Sequence, residues 1–259
     1  MNLNKKLKNF YKIRKELGIS ITLKAVLDRI GIKNYITVKY PKTEIEVTVR
    51  SWPFWKKMER EKYESDVFQF ILKTVKKGQT ILDVGSWVGP YTLLFSKLVG
   101  HDGKVIAFEP FPSTFNILLD NLEKNNISNV ITENICLGNS VGKVGLKGSG
   151  KDVSMVNWNE TEVSQSITCT TIDKYCKDKK IVPDGIKIDV EGAEGLVIEG
   201  AKNIIKSYSP WVLLEFHGNL FNKKERIKCW NKITKSAKKI IFIEKNSRYD
   251  RRSHVFIKY

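Results

Sequence analysis

Ile81-Leu82-Asp83-Val84-Gly85-Ser86-Trp87-Val88-Gly89-Pro90-Tyr91-Thr92 carries the chain from one element into another of a different kind. Thr80 to Val84 is a short apolar run bounded by turn residues, which reads as a buried strand, and Pro90 to Val99 reads as a helix that Gly100 stops. Gly85 permits a tight turn with positive φ, Gly89 lets a ligand come close to the backbone, and Pro90 suits the first position of a helix. The start of such a helix presents N–H groups and the positive end of its dipole to an anion.

Twenty residues beyond Gly89, Glu109 stands at the carboxyl end of the next strand, Lys104 to Phe108. An acid at that point can accept hydrogen bonds from both hydroxyls of a ribose, so the glycine turn and the strand-end acid together read as a nucleoside site. The plainer alternative is a strand-to-helix turn beside a solvated acid. Trp87 stands where a dinucleotide turn, G-x-G-x-x-G, needs its second glycine, and no G-x-x-x-x-G-K-[ST] occurs. Asp83 would repel a pyrophosphate and suits a ligand carrying an ammonium or sulfonium. S-adenosylmethionine, with ribose, ammonium, carboxylate and sulfonium, fits better than NAD.

Outward from this turn the pattern repeats. Helices are expected at Ser65 to Lys76, Thr114 to Lys124, Ala193 to Lys206 and Arg226 to Ser236. Strands are expected at Val130 to Ile135, Ile186 to Asp189, Trp211 to Phe216, Lys239 to Glu244 and His254 to Lys258. Strands alternating with helices imply an α/β fold, a mostly parallel sheet covered on both faces. The Gly-, Ser- and Asn-rich stretch 138–171 interrupts the alternation and reads as short strands with a mobile loop. Ahead of the main domain, residues 61–259, an appendage of residues 1–60 is expected. It comprises a basic amphipathic helix over 3–17 and a hairpin of Tyr35 to Tyr40 with Glu44 to Val49.

The 259 residues carry 45 Lys and Arg against 28 Asp and Glu, a net +17, with 41% hydrophobic residues, so the chain has ample material for a core. Residues 1–60 hold 15 basic and 5 acidic side chains, 201–259 hold 15 and 4, and the 140 between hold 15 and 19. The basic excess therefore lies at the ends. Cys136, Cys169, Cys176 and Cys229 form no C-x-x-C pair and read as reduced thiols of a cytoplasmic protein. The longest uncharged run, Val84 to Ser96, is 13 residues, short of the ~20 that span a bilayer. The N-terminus has no apolar segment or cleavage site of a secretory signal.

The segments ILDVGSWVGPYT, VIAFEPFPSTFNILLDNLEKN, TTIDKY, IKIDVEGAE and WVLLEFH, in this order, resemble the FkbM family of S-adenosylmethionine-dependent methyltransferases over residues 62–217. The resemblance implies the class I, Rossmann-like methyltransferase fold: a doubly wound seven-stranded sheet with a reversed last strand. It also implies methyl transfer, usually to a hydroxyl of a sugar or natural product. Asp83, Gly85 and Gly89 correspond to the family's methionine-binding loop and Glu109 to its ribose-binding acid. Phe111 is placed to flank adenine, or else to serve as a core aromatic. Trp87 departs from the small polar residue usual at its position.

A hydroxyl nucleophile must lose its proton, which calls for a general base or a metal, and in an open parallel sheet such groups belong at the carboxyl ends of the strands. Asp189, Glu191 and Glu194 follow the strand at Ile186, and His217 ends WVLLEFH. Asp189, Glu191 and His217 are the candidate catalytic residues, although acids in a first helical turn also stabilise the dipole. Nothing in the spacing fixes a ligand set, so no metal is expected.

The expected acceptor is a small-molecule or glycan hydroxyl. A nucleic-acid methyltransferase using the basic ends ranks second, because neither a [DN]-P-P-[FYW] signature nor a Pro-Cys pair is present. A non-enzymatic peripheral membrane or scaffold protein, with helix 3–17 on an anionic surface, is the third reading.

Overall fold

The computed structural model describes residues 33–60, 64–147, 154–156, 165–244 and 249–259; the basic helix expected over 3–17 lies outside them, as do residues 148–153 and 157–164 of the stretch 138–171. The hairpin forms where its alternation places it. β1 (Tyr35–Lys39) pairs antiparallel with β2 (Glu46–Arg50), and Val38, Val47 and Val49 point inward. A short helix, α1 (Pro53–Glu59), follows and buries Phe54, Trp55 and Met58.

The alternation then runs through α2 (Ser65–Thr74), β3 (Thr80–Val84), α3 (Pro90–Val99), β4 (Lys104–Phe108), α4 (Pro112–Lys124) and β5 (Val130–Glu133). A small sheet interrupts it, formed by β6 (Cys136–Leu137), β7 (Gly142–Lys147), β8 (Ser154–Val156) and β9 (Gln165–Thr170) in the order β6-β9-β7-β8. The main series resumes with α5 (Ile172–Lys179), β10 (Gly185–Ile188), α6 (Glu194–Glu199), α7 (Lys202–Tyr208) and β11 (Trp211–His217). It ends with α8 (Lys223–Thr234), β12 (Lys239–Phe242) and β13 (Arg252–Lys258).

Seven strands make the principal sheet in the order β12-β13-β11-β10-β3-β4-β5. β3, β4, β5, β10 and β11 run parallel, and β13 runs antiparallel to both β11 and β12. This is the doubly wound class I fold with its last strand reversed. The central strands are apolar on both sides because both faces are covered. One face packs under the hairpin, α1, α2 and α3 around Trp55, Phe68 and Phe95, and the other under α5 to α8 around Phe108, Tyr175 and Phe216. The hairpin thus shares a core with the sheet.

The single helix expected from Ala193 to Lys206 is two, α6 and α7, broken at Gly200. Gly200 packs so closely on the Gly138 carbonyl that a Cβ there would lie 1.9 Å from it. The Asp173 carboxylate, on α5, accepts from the N–H groups of Asn203 and Ile204, and the Asp173 N–H donates to the Gly200 carbonyl. Contacts from another part of the chain replace the helical hydrogen bonds at the break. α8 begins earlier than its apolar spacing suggests, because Asn222 and Glu225 form a capping box.

Candidate active site

The glycine turn is built from the sheet outward. Gly85 and Ser86 both donate their N–H to the Phe108 carbonyl at 3.0 Å, and the Ser86 hydroxyl donates to the Asp83 carbonyl, so the turn is fastened across β3 and β4. Gly85 has φ +78, and a Cβ on it would stand 1.8 Å from the Asp189 carbonyl oxygen. The need for glycine here is therefore close contact between the ends of β3 and β10 as well as turn geometry. Trp87 also adopts a left-handed backbone, φ 50. Its ring meets Trp52 and Phe54 edge to face, with centroids 6.0 and 5.0 Å apart. The Tyr40 hydroxyl donates to the Pro90 carbonyl, and Asn121 joins the turn to the hairpin by donating to the Val88 carbonyl and accepting from the Arg50 N–H. The N-terminal segment buttresses the turn.

Glu109 is buried at the end of β4 and accepts from the Trp87 N–H (2.8 Å), the Phe111 N–H (3.0 Å) and the Thr114 hydroxyl (2.8 Å). Burial pushes its carboxyl up, against the pull of these donors. A carboxylate offers about four acceptor positions, so three donors leave one for a ligand hydroxyl. Phe111 is half-buried against Cys136, Ile167 and Cys169. Asp83 lies fully buried beneath the turn, its Oδ2 accepting from the Thr92 hydroxyl at 2.5 Å and its Oδ1 without a hydrogen bond. Burial raises its pKa while Lys187 and Thr92 pull it down.

Lys187 is one of the site residues that sequence reading missed. It is buried on β10, two residues before Asp189 and so on the same side of the strand. Its Nζ stands 3.3 Å from Asp189 Oδ2, 3.7 Å from Asp83 Oδ1, 3.2 Å from the Gly85 carbonyl and 4.8 Å above the Tyr91 ring. Burial favours the neutral amine, but Asp189, Asp83 and Glu64 more than offset this and raise its pKa. Asp189 has a side chain 22% exposed. Desolvation pushes its carboxyl up, yet Lys187, His217, Arg252 and His254 together hold it below the usual range.

His217, buried at the end of β11, is the centre of an acidic cluster. Nδ1 lies 2.7 Å from Oε1 of fully buried Glu194, and Nε2 lies 3.2 Å from Glu191 Oε2, 3.9 Å from Asp189 Oδ1 and 3.9 Å from Glu215 Oε1. Burial depresses the imidazole pKa, but Glu191, Glu194 and Asp189 outweigh it and raise it to about 10. Glu191, with φ 49, sits in the turn between β10 and α6 that aims its carboxylate back at the ring. Glu215 pairs with Arg252, which also approaches Glu64. His254, on β13, is 3.4 Å from Glu215 Oε2 and 3.7 Å from Glu64 Oε2. The structure thus brings Asp83, Gly85, Asp189, Glu191 and His217 to one edge of the sheet, next to Glu109.

This constellation matches known sequences. The profile described as Methyltransferase FkbM domain matches residues 83–250. The chain belongs to the FkbM methyltransferase family. A second profile, Protein-L-isoaspartate(D-aspartate) O-methyltransferase, matches residues 13–146. No curated protein sequence matches the chain. Among solved structures, the FkbM methyltransferase of Methylobacillus flagellatus KT has 17% identity and a TM-score of 0.50, covering 70% of this chain and 43% of that one. This FkbM-family chain therefore spans less than half of the Methylobacillus chain. A putative rRNA-methylase of Clostridium thermocellum has 14% identity and a TM-score of 0.50, covering 74% of this chain and 92% of that one. At such identities the likeness is one of fold. The donor set of this FkbM-family domain fits S-adenosylmethionine: an acceptor position left on buried Glu109 and an uncapped carboxylate oxygen beneath the glycine turn.

Proposed function

We propose that the chain transfers a methyl group to a hydroxyl of a sugar, glycan or natural product. The observation that carries this reading is the position of Asp189, a charged and accessible carboxylate whose own backbone carbonyl touches the glycine turn. Gly85 and Gly89 would shape the methionine pocket over Asp83, Glu109 would hold the ribose and Phe111 would flank the adenine. S-adenosylmethionine bound there supplies an electrophilic methyl group.

Asp189, with Glu191 beside it, receives the proton of the acceptor hydroxyl. Lys187 pairs with the second oxygen of Asp189 and leaves Oδ1 facing the cluster. His217, held by Glu194 through Nδ1, orients the carboxylates of Glu191 and Asp189 with its other ring nitrogen. The catalytic domain is residues 61–259, with residues 1–60 as its N-terminal flank. Among the described residues no helix is long and apolar enough to cross a membrane.

The test is to incubate the protein with methyl-labelled cofactor and cell extract and to partition the label among lipid, glycan, RNA and protein. Label in glycan or small molecules is the expected result, and label in RNA overturns the acceptor assignment. Asp189→Asn should retain cofactor binding and lose turnover.

A further inference from the structure

We propose that Asp189, Glu215 and His217 bind a hard divalent cation, with Glu191 at its exposed rim. The three side chains each bring a ligand atom within 4.8 Å of the others, from the ends of β10 and β11. Ligands about 2.1 Å from one octahedral ion stand about 3 Å apart when adjacent and about 4.2 Å when opposite. The separations from His217 Nε2 to Glu191 Oε2 and Asp189 Oδ1 are 3.2 and 3.9 Å, within that window.

A cluster of acids alone would mean little. Here His217 and Glu215 are 2% and 1% exposed, and Nε2 of the one and Oε2 of the other have no hydrogen-bond partner. Buried polar atoms are seldom left so. The other ring nitrogen of His217 is fixed by fully buried Glu194, the carboxylate–histidine pairing that turns an imidazole toward a metal. Charge points the same way. Four carboxylates approach the ring, while Lys187 pairs with Asp189 and Arg252 with Glu215, leaving a surplus that a divalent ion balances. Carboxylates with a single imidazole suit manganese better than magnesium, whose shell is all oxygen, or a thiophilic metal. An ion at this rim would lower the pKa of a coordinated hydroxyl, the group that must lose its proton.

The catalytic consequence rests on the hydroxyl-transfer reading; the binding itself does not. Full-length protein stripped with EDTA and dialysed is titrated with manganese, and the free ion is followed by electron paramagnetic resonance, alongside calorimetry with S-adenosylmethionine. One saturable manganese site per chain is expected, weakened about 10–100-fold in Glu194→Gln, the variant that frees the imidazole without removing a ligand. Half-exposed Glu191→Gln, which disturbs no core contact, should also weaken it. No saturable binding at millimolar manganese overturns the proposal and means that the imidazolium is the cluster's own cation. Affinity unchanged in both variants overturns it equally. Manganese binding in a protein that does not bind S-adenosylmethionine supports the site and refutes the reading of the function; the converse refutes the site alone.

Discussion

Replacing Lys187 with Met tests whether one buried cation holds the glycine turn to β10. At an effective dielectric of 20, unit charges 3.3 and 3.7 Å apart attract by about 5 and about 4.5 kcal/mol. Most of that is offset by the cost of desolvating Lys187, Asp83 and Asp189. What remains visible on removing one partner of a buried pair is about 3–5 kcal/mol, because the carboxylates stay behind uncompensated. For a chain of this size that lowers the melting temperature by about 6–20 °C. Asp83→Asn should cost less, since it leaves Lys187 paired with Asp189. In the double variant the two losses should fail to add, with a coupling on the order of 1–3 kcal/mol. Urea denaturation of the three variants, measured in EDTA so that no ion enters the comparison, gives all the terms of this cycle. A Lys187→Met loss below about 1 kcal/mol, or additive single losses, would refute the claim that Lys187 bridges the two acids.

Glu109→Ala should weaken S-adenosylmethionine binding at least tenfold by calorimetry, and unchanged affinity would mean that the ribose lies elsewhere. Because burial raises the Glu109 pKa, affinity in the wild type should fall with decreasing pH sooner than for an ordinary carboxylate. The sign for folding is opposite: with the folded pKa above the unfolded one, Glu109 contributes stability when protonated and loses it as pH rises through the folded value. Gly85→Ala pays about 1–2 kcal/mol for its left-handed backbone and must also push the Asp189 carbonyl away, so melting temperature and cofactor affinity should drop together; a change in neither would remove the close-contact argument. Asp173→Ala should cost about 1–2 kcal/mol in urea by freeing the two N–H groups that start α7, with methyl transfer retained.

The features legible in the sequence are those that neighbours in the chain decide. A strand, a glycine turn and a helix are contiguous, and so are the strand-end acid Glu109 and the acids after Ile188. The helix over 193–206 looks continuous for the same reason: only α5, folded back, supplies the Asp173 carboxylate that breaks it. Lys187 and Glu215 had a local signal that went unread. Each is a charged residue inside an apolar strand, two positions before a residue already singled out, and the two-residue period puts each pair on one side. Trp87 carried no such signal, because its partners Trp52 and Phe54 come from a segment with no apparent tie to the turn.

The reversal of β13 explains the rest of the site. Parallel strands end at the active edge, whereas an antiparallel strand begins there, so Arg252 opposite His217 and His254 opposite Glu215 come from the first residues of β13. A search confined to carboxyl ends of strands passes over them. The same reversal changes what the basic C-terminus means. Its excess over residues 201–259 looks like an invitation to an anionic partner, but Arg252, though half-exposed, is paired with Glu215 and approaches Glu64. The site itself concentrates acids, with Asp83, Glu109, Asp189, Glu191, Glu194 and Glu215 at one edge of the sheet. Lys187 and Arg252 offset only part of that charge, so without the proposed divalent ion the site disfavours an anionic acceptor, a physical reason to expect a neutral hydroxyl there.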